Sequence, residues 1–136
     1  MLFSSALPTR YRDELDDVVV TIDTEESCLL MYPQSEWEDI EAKIEALPSF
    51  NHAARRVQRL LIGHATELSL DNNGRILLPQ LLRDYAGLEK QIMLVGQGKK
   101  FEIWNATLWE ARRKEWLKVT TTETEALPVE LQTLSL

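Results

Sequence analysis

Asp71-Asn72-Asn73-Gly74-Arg75-Ile76-Leu77-Leu78-Pro79 sets a tight polar turn in front of a short apolar run that a proline cuts off. Asn-Gly signals a turn because both residues tolerate positive φ. Asp71 can accept bonds from turn N–H groups, and Arg75 sits where the chain leaves the turn, next to exposed backbone. Before the turn, Glu67-Leu68-Ser69-Leu70 reads as a strand; after it, Ile76-Leu77-Leu78 reads as a second strand ended by Pro79. Proline fits the first turn of a helix, where its missing N–H costs nothing, so a short helix follows. Taken alone, D-x-x-G-R is a polar hairpin turn.

Working outward, the chain repeats itself weakly. Leu7-Pro8-Thr9-Arg10-Tyr11-Arg12-Asp13 resembles Leu78-Pro79-Gln80-Leu81-Leu82-Arg83-Asp84, and Met31-Tyr32-Pro33-Gln34-Ser35-Glu36-Trp37-Glu38 resembles Ile103-Trp104-Asn105-Ala106-Thr107-Leu108-Trp109-Glu110, at offsets of 71 and 72 residues. Each copy reads as a Leu-Pro step opening a short helix, a β-hairpin and an amphipathic helix. The hairpins are Val18–Asp23 with Cys28–Tyr32, and Ile92–Val95 with Lys100–Trp104 around Gly96-Gln97-Gly98. Ser35 with Glu38, and Thr107 with Glu110, match capping-box spacing. Trp37, Ile40, Ile44 and Leu47 recur at three- and four-residue steps, predicting one buried helical stripe. Between the copies, Asn51 can cap a helix over Asn51–Ala65 with Ala53, Ala54, Val57, Leu60 and Leu61 inward and Arg55, Arg56 and Arg59 on its other side. The pattern gives copies at 1–48 and 67–118, a connecting helix at 49–66 and a Thr/Glu-rich tail at 119–136. Carrying the 71-residue offset back, the equivalents of Gly74 and Arg75 are Phe3 and Ser4, so the first copy is expected to lack its opening strand and its own D-x-x-G-R turn.

Composition narrows the classes. With 44% hydrophobic and 27% charged residues the 136-residue chain reads as soluble and globular. No stretch approaches the roughly 20 apolar residues of a membrane helix. Met1–Pro8 has no basic start and too short an apolar run for a signal peptide, so a cytoplasmic location is expected. Lone Cys28 forms no internal disulfide, in keeping with a reducing compartment. The net charge of −7 argues against nucleic acid, but the signs are segregated. Asp13–Leu47 holds twelve acids and one base; His52–Lys118 holds twelve bases and seven acids. A basic face on an acidic protein can still meet phosphates, because charge acts over a Debye length of ~8–10 Å. Charge alone fits ordinary solvated surface better.

Catalysis and metal binding find no support. Cys28, His52 and His64 are the only Cys and His residues and show no ligand spacing. There is no Gly-rich phosphate loop and no G-x-S-x-G. No catalytic residue, metal, cofactor or small-molecule substrate is expected. Trp37, Trp104, Trp109 and Trp116 read as core or subunit-interface anchors.

A strand, D-x-x-G-R, three apolar residues, proline and a short helix together resemble the AbrB/SpoVT swapped-hairpin domain. The chain is further similar to the MraZ family in Pro8-Thr9-Arg10-Tyr11-Arg12, in Leu29-Leu30-Met31-Tyr32-Pro33 with Trp37, in Arg55-Arg56-Val57-Gln58-Arg59-Leu60-Leu61-Ile62-Gly63-His64-Ala65, in Met93-Leu94-Val95-Gly96-Gln97 and in Phe101-Glu102-Ile103-Trp104. The resemblance implies an α+β fold of two swapped-hairpin β-barrel halves in tandem, with flanking helices. It implies a nucleoid-associated repressor that assembles head to tail into a homo-oligomeric ring. Its partner would be double-stranded DNA, at closely spaced direct repeats in the promoter of the division and cell-wall gene cluster. Arg75, Asn72, Asn73, Gly74, Arg10 and Arg12 would then contact DNA. Read from the residues themselves, Arg55, Arg56 and Arg59 can bind DNA phosphates or acids of a neighbouring subunit; the acidic stretch Glu36–Glu45 favours the subunit contact, with Trp37 and Trp109 at the interface. The competing class is a ring-forming protein-interaction scaffold without DNA binding.

Overall fold

Val18-Val19-Val20 and Leu29-Leu30-Met31 are apolar at every position, so their strands must be covered on both faces. The computed structural model describes residues 17–119. The chain forms two units, Met1–Ala106 and Thr107–Leu136. In the first unit, strands β1 (Asp17–Ile22), β2 (Leu29–Pro33), β3 (Thr66–Ser69), β4 (Ile92–Gln97) and β5 (Lys100–Asn105) form one sheet in the order β3-β1-β2-β5-β4. Every neighbouring pair is antiparallel.

The α+β class expected from the sequence is present, and the two copies interleave within it. β1 and β2 pair as a hairpin with Ile22 opposite Leu29. β3, which leads into the second copy, lies on β1 of the first, with Val18 opposite Leu68. β2 joins β5 of the second copy, with Leu30 opposite Glu102. β4 and β5 close through a two-residue turn between Gln97 and Lys100. Gly98 takes φ 71° there, the glycine-first pattern of a tight hairpin turn.

Alternation along the strands divides the core into two layers. Val18, Val20, Ile22, Leu29, Met31, Phe101 and Ile103 face one side, packed on Ile76, Leu78, Leu82 and Ala86. The last two belong to α3 (Gln80–Ala86). Val19, Leu30 and Tyr32 face the other side, against Trp37 and Ile44 of α1 (Gln34–Glu45) and the partly buried Val57, Leu61 and Ile62. A fully buried leucine such as Leu29 or Leu82 contributes ~1.5–3 kcal/mol, so these two layers dominate stability. The second unit carries α4 (Ala106–Lys118), in which Trp109 and Trp116 meet edge to face at 5.8 Å. Arg112 lies 5.3 Å from the centre of the Trp116 ring.

Several local expectations are corrected. Helix 51–65 is split: α2 (His52–Val57) runs into a π-helical turn at Gln58–Ile62. Asn51 does cap α2, accepting the Ala54 N–H at 3.1 Å. The wider turn is tied to the sheet where the Thr21 hydroxyl, fully buried on β1, donates to the Leu61 carbonyl at 2.7 Å. Ala53 is exposed instead of inward, because the helix turns Ala54 to the core. Leu47, expected to extend the α1 stripe, is 37% exposed, since α1 stops at Glu45. Ser35 and Thr107 are not caps; each is the second residue of its helix. Ile76–Leu78 does not form a strand ladder and makes only a single bridge at Leu77. Its side chains still serve the core, with Ile76 and Leu78 each 3% exposed. The Leu7-Pro8 helix, Arg10, Arg12 and the tail from Thr120 onward lie outside the described residues.

Candidate nucleic-acid interface

β3 ends at Ser69, and the chain reverses through the polar turn before entering the core at Ile76. The turn is built by one carboxylate. Asp71 Oδ1 accepts the N–H groups of Asn73 and Arg75, both at 2.8 Å. The Gly74 N–H donates to the Asp71 carbonyl at 2.9 Å, and the Asp71 N–H donates to the Arg75 carbonyl at 2.8 Å. Gly74 is left-handed at φ 73°, and no other type of residue among those described takes positive φ. Asn73 therefore does not share the positive φ expected of an Asn-Gly pair. Asp71 to Gly74 thus close a tight turn that ends on a left-handed glycine.

This geometry holds Asn72 and Asn73 exposed at the tip. Arg75 is half-exposed, its side chain 39% accessible. Its Nε lies 3.4 Å from Asp71 Oδ2, an ion pair that is long for a hydrogen bond. That Nε is shielded from solvent and has no hydrogen-bond partner. The exposure of Arg75 therefore belongs to the rest of the side chain. Asp71 is held below the usual carboxylate range, first by the Arg75 N–H, then by the Asn73 N–H and the Arg75 charge, against an opposing effect of desolvation. An exposed pair of this kind adds little stability. Sequence reasoning placed Arg75, Asn72, Asn73 and Gly74 together, and the structure does so. It gave Asp71 a role in the turn alone; the D and R four residues apart were the available signal that Asp71 also meets the Arg75 side chain.

The other candidate residues lie elsewhere. Arg55 and Arg56 on α2 and Arg59 on the π-helical turn are exposed. Trp37 is 5% exposed and packs on Tyr32 with ring centres 5.7 Å apart, so its ring is taken up in the chain's own core. Its Nε1 donates to Glu41 at 3.3 Å. Trp109 is half-buried within its own unit. The acidic helix α1 presents Glu38, Asp39 and Glu45 to solvent. Among the described residues, Asp23, Cys28 and Glu102 bring potential ligand atoms within 4.8 Å of one another. Those atoms already have partners: the Cys28 thiol donates to Asp23 at 3.8 Å, and Glu102 accepts the Trp104 Nε1 at 3.0 Å. Burial, and then the charges of Glu102, Asp23 and Glu26, push the Cys28 thiol far above its ordinary range.

Among the described residues, no helix is long and apolar enough to cross a membrane. The arrangement is a cation and two amides on a backbone-locked tip. Comparison with known proteins agrees with the repeat seen in the sequence. A family model described as "MraZ protein, putative antitoxin-like" matches twice, at residues 6–60 and 61–128. The Transcriptional regulator MraZ of Legionella pneumophila (strain Corby) is 55% identical, over 96% of this chain and 90% of its own length. The protein of the same name from Coxiella burnetii (strain Dugway 5J108-111) is also 55% identical with the same coverage. That from Halorhodospira halophila (strain DSM 244 / SL1) is 52% identical, again over 96% and 90%. Two matched repeats and majority identity along nearly the whole chain place it plainly: this chain belongs to the MraZ family.

Proposed function

We propose that the chain is a transcriptional regulator that reads promoter DNA with the Asp71–Arg75 turn. The observation that carries this is the turn itself: a left-handed Gly74 and a carboxylate bonded to two backbone amides fix Arg75, Asn72 and Asn73 at an exposed tip. A major groove ~12 Å wide admits a narrow polar tip, and Arg is the commonest reader of guanine O6 and N7. The names of the relatives support the regulatory class.

The finer reading follows the family resemblance. Copies assemble head to tail into a ring, and their tips engage closely spaced direct repeats upstream of the division and cell-wall gene cluster, repressing it within the nucleoid. Repeats at 1–48 and 67–118 flank the connecting helix of 49–66, with a tail at 119–136. Arg10 and Arg12 join the DNA contact. Exposed Arg55, Arg56 and Arg59 of one copy meet the acidic α1 of the next, and Trp109 belongs to a subunit interface. Trp37 contributes by shaping α1 from within. One tip binds weakly, so affinity rises with assembly through effective concentration.

A gel shift on DNA upstream of the protein's own gene tests the proposal. Arg75→Ala should lose ~1–3 kcal/mol per contact while light scattering still reports the oligomer. Equal binding by wild type and Arg75→Ala removes this turn from the mechanism. A protein that forms rings but shifts no DNA is a scaffold instead.

A further inference from the structure

We infer that Asp71 is a positioning residue that decides what Arg75 binds: it turns the guanidinium toward base edges and discourages its use on phosphate. The inference rests on the proposed DNA reading and adds a specificity device to it. The two oxygens of Asp71 have separate tasks. Oδ1 builds the turn by accepting two backbone N–H groups. Oδ2 takes no part in those bonds and faces Arg75 Nε at 3.4 Å.

A guanidinium offers its donors along two edges, one including Nε and one formed by the terminal nitrogens. Here the Nε edge is turned inward, shielded and met by a carboxylate. With the side chain still 39% accessible, the edge left for DNA is the terminal Nη pair, which suits two acceptors side by side on a base edge. The same carboxylate acts against phosphate. An anion fixed 3.4 Å from the cation reduces the positive potential that phosphate would meet, and repels phosphate directly. A tip with an unopposed arginine would grip any duplex. A tip carrying this pair gives up non-specific attraction and keeps directional bonding. Phosphate contacts position a protein on DNA while base contacts specify sequence, so the pair shifts Arg75 from the first kind to the second.

Asp71→Asn separates the two oxygens. Asparagine keeps Oδ1 as acceptor for both amides, so the turn survives. Its NH2 group then stands where Oδ2 was, donor against donor, and releases Arg75. Asp71→Ala loses the turn as well. The experiment measures fluorescence anisotropy of the full-length oligomer on two duplexes across a salt series. One duplex is the DNA upstream of its own gene; the other is a scrambled duplex of equal length and composition.

For Asp71→Asn we expect tighter binding to scrambled DNA and a steeper salt slope, by nearly one per tip that gains a phosphate. The preference for the upstream DNA should fall roughly tenfold, within the range of a bidentate base contact. Asp71→Glu, which keeps the charge, should retain the wild-type salt slope on scrambled DNA. A merely structural role would weaken both duplexes together without steepening the slope, and that result overturns the inference. So does an Asp71→Asn protein indistinguishable from wild type. Arg75→Ala is run in parallel: if it binds like wild type, the DNA reading itself has failed. If Arg75→Ala weakens binding while Asp71→Asn keeps its discrimination, only the positioning role has failed.

Discussion

Replacing Thr21 with valine should loosen the junction between the sheet and the connecting helix. Thr21 is fully buried in β1, and its hydroxyl donates to the Leu61 carbonyl at 2.7 Å. Leu61 belongs to the π-helical turn, where the helix has widened and a part-buried carbonyl is held by a side chain from the sheet. Valine has nearly the shape of threonine, so no cavity opens. The change leaves the Leu61 carbonyl without its donor, at a cost of ~1–3 kcal/mol. Valine recovers a few tenths of a kcal/mol through its strand propensity and apolar methyl. The balance is a loss of about 1–2 kcal/mol, roughly 3–6 °C in Tm for a chain of this size. Urea unfolding should show a lower midpoint with an unchanged slope. Thr21→Ser keeps the donor and loses one methyl, about 1 kcal/mol. Hydrogen exchange distinguishes the two variants: Thr21→Val should speed exchange across Gln58–Ile62, and Thr21→Ser should leave it near wild type. If Thr21→Val proves as stable as wild type, or if both variants speed exchange equally, the hydroxyl does not hold the turn.

Three further outcomes follow from the same structure. Gly74→Ala places a side chain at φ 73° and should cost ~1–2 kcal/mol; DNA affinity should fall by a larger factor than Gly63→Ala produces, since Gly63 is helical with open space around it. Cys28 is fully buried with its thiol pushed up, so native protein at pH 8 should resist a thiol reagent that the urea-unfolded chain consumes at once; fast native labelling would contradict the burial. Because that folded-state value is raised, the unfolded chain releases its thiol proton first, near 9.0, and stability from this group should be intact below that pH and decline as pH rises above it, relative to a Cys28→Ala control.

Local signals were legible in the sequence, and long-range pairings were not. The hairpins showed because Val18–Ile22 and Leu29–Tyr32 are dense in strand formers and Gly98 permits the second turn. The α1 stripe showed through Trp37 and Ile44, both buried, and the Asn51 cap is where its side-chain chemistry put it. The π-helical turn was invisible, since its stabilising partner, Thr21, lies 40 residues away. The same limit hid the interleaving of the repeats: nothing within Thr66–Ser69 tells that β3 pairs with β1 of the other copy. Ile76–Leu78 misled because a buried apolar run reads as a strand whether or not a ladder forms beside it. At the site, residue identities announced the turn, while the division of labour between the two oxygens of Asp71 needed coordinates.

The central claim is that the tip of this turn touches DNA. A photo-crosslinking amino acid placed at Asn73, exposed at the tip, measures that contact directly. The same amino acid placed at Glu38, exposed on the acidic helix α1, serves as the comparison. Irradiated with duplex DNA from upstream of the protein's own gene, the oligomer labelled at Asn73 should form a covalent protein–DNA adduct. The oligomer labelled at Glu38 should form none. Adducts from Glu38, or an absence of adducts from Asn73 under conditions where the duplex is bound, would show that the DNA lies against another surface.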